Sequence, residues 1–121
     1  MTNDVDLAAY RTILVNGLRD SVIRTCDAMA DGQVRGGVAL GWRQAFETGS
    51  VEAIVEHLIP DIVDETIASL LRLVDDEVLD ITLIGDAGPG QTPLSQLSDG
   101  VAEGDYLGEP DGWRFQVSSE R

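Results

Sequence analysis

The chain has 121 residues, enough for a single domain whose one core buries roughly two thirds of the unfolded surface. It carries 22 acidic residues against eight basic ones, a formal net charge of −14, which disfavours docking on nucleic acid or on an anionic membrane because both require a positive patch. No run approaches the roughly 18 uncharged apolar residues of a membrane helix, and the N-terminal MTNDVDL lacks the basic-then-apolar order of a signal peptide, so the expectation is a soluble cytoplasmic protein.

All eight basic residues are arginines. A GC-rich or salt-loving host would produce this composition. So would a surface shaped to meet a basic partner, and the acids are spread along the chain rather than gathered in one block. Cys26 is the only cysteine, which rules out an internal disulfide and a thiolate zinc cluster. With Arg24 the only nearby cation in sequence, Cys26 reads as a small core residue rather than a nucleophile.

Asp4 to Ala30 has the pattern of a first helix, capped by Thr2 or Asn3, with Leu7, Leu14, Leu18, Val22 and Met29 on one face. Tyr10, Val15 and Cys26 widen that face. Ile13 and Ile23 lie off it and point to a second neighbour or another copy of the chain. Gly17 weakens the pattern by about 1 kcal/mol relative to alanine and marks a bend or a close crossing. Asp31-Gly32 supplies a stop, with Gly32 turning left-handed. Val38 to Thr48 forms a second helix, with Val38, Trp42 and Phe46 at i+4 intervals and the two aromatics as core anchors.

Ser50 to Asp80 is the stretch around which the chain is organised. Ser50 is a good N-cap, and Val51, Ile54, Val55, Leu58, Ile59, Ile62, Val63, Ile67, Leu70, Leu71 and Val74 recur at helical spacing. Pro60 removes one helical hydrogen bond, yet the stripe keeps its phase across it, which predicts a kinked helix or two nearly continuous ones. The other side carries acids, and Glu52, Glu56, Asp61, Asp64 and Glu65 form the candidate interaction surface. After Glu77 the period drops to two. Leu79 to Ile84 and Trp113 to Val117 then read as two strands pairing antiparallel, with a short helix from Thr92-Pro93 whose Leu94 and Leu97 face inward. Gly100, Gly104, Gly108 and Gly112 recur every four residues in a loop-like stretch. The expected fold is therefore α+β: three or four packed helices and a small C-terminal two-stranded element.

Chemistry-bearing motifs are weak. Gly85 to Thr92 has phosphate-loop glycine spacing, but Gln91 stands where lysine is needed and only 29 residues follow Thr92. Glu56, His57, Asp61, Asp64 and Glu65, with a Glu77/Asp80 pair, would suit a helical divalent-metal enzyme, although a bundle-core metal site needs inward ligands and the Glu-x-x-His pairs of di-iron bundles are missing. His57 is the sole histidine and no G-x-S-x-G is present. The sequence thus points to a non-catalytic acidic module of immunity, antitoxin or adaptor type, with no cofactor. Its partner is a protein or a second copy of itself; the competing reading is the metal-dependent helical enzyme.

Overall fold

A computed structural model describes residues 3–33, 35–84 and 92–120, with side chains from residue 6 onward. The chain divides into two compact units, Met1–Thr66 and Ile67–Arg121.

In the first unit the N-terminal helical stretch has three parts: α1 (Asn3–Thr12), a π-helical segment (Ile13–Arg19) and α2 (Asp20–Ala30). The Asp20 amide donates to the Val15 carbonyl, the i→i+5 closure that makes the turn wide. Gly17, the sequence's marker of irregularity, lies inside this segment. A wider turn shifts the phase of α2 relative to α1, and burial divides accordingly. Val22 and Met29 of α2 are buried, whereas Leu7 and Leu14 stand in solvent. The Thr2 or Asn3 cap lies outside the described side chains.

α2 stops where its sequence says it should. Gly32 has φ 75°, its amide donates to Met29 at 3.3 Å, and the Gln33 amide donates to Ala28 at 3.0 Å, a Schellman closure. α3 (Gly37–Thr48) buries Ala39, Trp42 and Ala45. Trp42 is the expected anchor, but Phe46 is 40 % exposed and Val38 50 %. The buried stripe of α3 therefore runs at i+3 through two alanines rather than at i+4 through the large side chains. Gly49 ends the helix at φ 67°. Ser50 then opens α4 (Val51–Asp75), its hydroxyl accepting the Ala53 amide at 3.3 Å. α4 passes through Pro60 as one helix. The core of this unit is Met29, Ala39 and Trp42, with Cys26 and Leu58 packed against them.

The second unit begins in the last turns of α4, where Ala68, Ser69, Leu71 and Val74 are buried. The helix ends in another Schellman closure, the Glu77 amide donating to Val74 and the Val78 amide to Leu73 at 2.9 Å, with Glu77 itself left-handed at φ 61° where glycine is usual. Three short helices follow: α5 (Leu94–Ser98), α6 (Ala102–Leu107) and α7 (Trp113–Val117).

The expected α+β fold is corrected here: no strand occurs among the described residues, and the C-terminal antiparallel pair is absent. Residues 79–84 are irregular, and the Ile81 carbonyl is used by the Leu94 amide at 2.8 Å rather than by a neighbouring strand. Trp113 to Val117 is one helical turn begun by the Gly112 carbonyl, which accepts from Phe115 and Gln116. Five residues of alternation are too few to separate the two periods, and an isolated strand pair is marginal on its own. Leu97 is 70 % exposed, so it does not face inward as its spacing implied. The four-residue glycine interval is a hydrogen-bond relay, Gly108 donating to Gly104 at 2.9 Å and Gly112 to Gly108 at 2.8 Å. A Cβ on Gly112 would run into the Gly108 carbonyl oxygen, so that position admits only glycine.

Candidate functional site

The five acids of the expected interaction surface fall into two groups. Glu52 and Glu56 are exposed, while Asp61, Asp64 and Glu65 are half-buried. The division follows from the register of α4. Leu58, Asp61 and Glu65 are spaced i, i+3, i+7 and share one face, and Leu58 on that face packs against the Met29/Trp42 cluster. Asp61 accordingly accepts a 2.8 Å hydrogen bond from the indole Nε1 of Trp42. Trp42 itself is only 2 % exposed, and its N–H needs such a partner.

Glu65 points the same way. Burial pushes the Cys26 thiol up, and the charges of Glu65 and then Asp27 push it further. A thiol held protonated is a poor nucleophile, in keeping with Cys26 as a packing residue.

Three of the apolar side chains that the periodicity assigned to the core lie on the outer face of the same helix instead. Val51 is 74 % exposed, Val55 42 % and Ile59 51 %. The first helix repeats the arrangement, with Leu7, Tyr10 and Leu14 spaced i, i+3, i+7 and exposed by 48 %, 56 % and 43 %. Ile23 is exposed as well and Ile13 is half-buried. The first unit thus presents apolar side chains of α1 and of α4 to water at helical spacing. Sequence reasoning missed the α4 strip because apolar residues surround much of that helix, and periodicity alone does not say which flank meets the core.

Other candidates look structural. Asp75, at the end of α4, accepts the amides of Ala102 at 2.9 Å and Glu103 at 3.0 Å, capping the start of α6. Asp80 accepts the amides of Ile81 at 2.9 Å and Ser95 at 3.0 Å and the Ser95 hydroxyl, doing the same for α5. The Ser95 hydroxyl, then the Ser95 amide, hold its carboxyl below the usual carboxylate value. Asp80 is therefore committed to Ser95 rather than paired with Glu77. Arg72 meets Glu103, Nε to Oε2, at 2.9 Å. An open hollow of about 350 Å³ lies against Glu77 to Asp80 and Ser95.

His57 is exposed, with Nδ1 4.0 Å from where a Cβ on Gly41 would lie. Among the described residues no three His, Cys, Asp or Glu side chains gather as a metal site would require, and no helix is long and apolar enough to cross a membrane. Of the phosphate-loop motif, residues 85–91 lie outside the described residues. Comparison with protein-family models, with curated proteins and with solved structures finds no match.

Proposed function

We propose that this chain is a non-catalytic protein-binding module of the cytoplasm, docking through the two apolar strips of its first unit. The observation that carries this reading is the outward placement of Leu7, Tyr10 and Leu14 on α1 and of Val51, Val55 and Ile59 on α4. Each of these side chains forfeits roughly 1 kcal/mol by standing half in water, since full burial is worth about 1.5–3 kcal/mol. A partner that covers them recovers that energy. Glu52 and Glu56 are exposed on the same helix as the second strip and supply a polar, negatively charged rim, the usual surround of a specific interface. The net charge of −14 supports a protein partner over nucleic acid or an anionic membrane.

Capture from a lysate of the host, compared between the wild-type chain and a Leu7→Glu/Val55→Glu variant, tests the reading. The expected result is a protein retained by the wild type, lost by the variant, and bound again when the two purified proteins are mixed. Identical profiles for the two baits would overturn the proposal.

A further inference from the structure

We infer that the π-helical segment Ile13–Arg19 is a two-register switch, in which Ile13 and Leu14 exchange one place on the buried line of the first helix and α1 turns about its own axis as they do. The switch regulates the site proposed above, and it rests on that reading for its consequence but not for its geometry.

One stretch of sequence encodes both registers. Leu18, Val22, Cys26 and Met29 follow one another at steps of four, four and three, and all are buried or half-buried. An α-helical turn would carry that line back four residues from Leu18 to Leu14, and a further seven to Leu7. The structure carries it back five. Ile13 is half-buried and Leu14 is exposed, and the closure from the Asp20 amide to the Val15 carbonyl is the wide turn that makes the replacement. An isoleucine that stands off the stripe in the sequence is thus the residue that the wide turn brings onto it.

The two registers lie close in energy because what they exchange is alike. Each sets one of two isomeric aliphatic side chains on the line and leaves the other in water. The π turn is the rarer backbone form, but Gly17 within the segment weakens its α-helical alternative relative to alanine, which narrows the difference. No packed side chain opposes the rotation either. Every side chain of α1 from Asp6 to Thr12 is exposed, so α1 turns without breaking a core contact. A change of one residue in the closure turns it by about 100°, at 3.6 residues per turn. In the π register Leu7 and Leu14 point away from the line of Val22 and Met29; in the α register they join it. A partner that engages Leu7 and Leu14 as they now stand therefore selects the π register.

Nuclear magnetic resonance of the full purified chain, with no partner present, tests the switch. The coupling across the hydrogen bond of the Asp20 amide reports the register directly, reaching the Val15 carbonyl in one and the Asn16 carbonyl in the other. Relaxation dispersion in the microsecond-to-millisecond range, where helix register shifts fall, is expected for the amides of Ile13–Arg19 and Asp20 and not for those of α3. Ile13→Ala should shift the ratio of registers toward Asn16 by roughly five- to tenfold, and Leu14→Ala should shift it toward Val15. The Arg19 and Asp20 amide signals then move in opposite directions along one line, with the wild type between them. An unchanged signal from the Trp42 indole N–H, bonded to Asp61, shows that the core of each variant is intact. A wild-type chain without dispersion overturns the inference, as do variants that both keep the Val15 coupling or move the signals the same way. In the lysate capture, Ile13→Ala should retain less of the partner than the wild type. Equal capture by a variant whose register has moved overturns the regulation alone, whereas no capture by the wild type overturns the binding reading and leaves the measured register standing.

Discussion

Asp80 shows how a single carboxylate in this acidic chain is put to structural use. It accepts from the Ser95 hydroxyl and amide and from the Ile81 amide, and these donors favour its charged form. The folded value therefore lies below the unfolded one, which fixes the sign of the linkage. The stabilisation is fully present above the unfolded pKa of about 3.9 and is lost as pH falls through the lower folded value. Ser95→Ala removes the largest cause, so the Asp80 carboxyl should titrate closer to its ordinary value in that variant, as read from its side-chain carbon shift across an acid titration. An unchanged midpoint would mean the amides alone set it. Nothing in the sequence joins Asp80 to Ser95, 15 residues away, and the Trp42–Asp61 bond is equally invisible at a separation of 19. Local signals are legible because their physics is local: Gly32 as a left-handed stop and Ser50 as a cap each need only neighbouring amides.

Among the helical elements, the short ones of the second unit are held from outside. Pro93 and Val101 precede α5 and α6 without offering a side-chain cap, and helices of five and six residues are too short to persist on propensity alone. Asp80 and Asp75 take the capping role instead, each near the positive end of a helix dipole. Asp75→Ala leaves two amides of α6 without this acceptor and should cost about 1–2 kcal/mol by denaturant unfolding. Asp75→Asn should recover part of that loss, since one amide oxygen still accepts; an alanine variant as stable as wild type would show the cap to be dispensable. These remote caps and local turn bonds also explain why turns and short helices stand where the period suggests strands. The apolar alternation at residues 79–84 and 113–117 is real, but Asp80 ties the first stretch to Ser95 across 15 residues, and the Gly112 carbonyl takes the Phe115 and Gln116 amides in the second, so neither backbone is left for a ladder. In α4 the helical period is legible in full while its orientation is not. The helix is apolar on two flanks, and it is the Leu58 side that meets the Met29, Ala39 and Trp42 cluster.

For the molecule as a whole, 22 acids against eight arginines leave a large surplus of negative charge that short-range pairing does not absorb. Several acids have fixed tasks: Asp75 and Asp80 cap helices, Asp61 holds the indole of Trp42, and Glu103 meets Arg72. The contacts of Asp61, Asp75 and Asp80 favour the folded chain and depend little on ionic strength, because neutral amide, hydroxyl and indole donors sit at hydrogen-bond distance, whereas the exposed Arg72–Glu103 pair weakens as salt rises. The surplus on the exposed faces acts in the opposite sense. It repels itself more strongly in the compact state than in the expanded one, and that repulsion extends over the Debye length, about 30 Å at 0.01 M salt and 3 Å at 1 M. Salt should therefore stabilise the protein. Between those two ionic strengths the midpoint of thermal unfolding should rise by at least about 4 °C, the shift that about 1 kcal/mol produces in a domain near this size. Calorimetry in sodium chloride, with glucose as a neutral osmotic control, measures it. A chain unfolded at low salt and recovered at high salt would make the acidity a property of a salt-loving host. A rise of only a few degrees would leave the acids available as the rim of an interface, and a fall would show that attractive pairs outweigh the surplus charge.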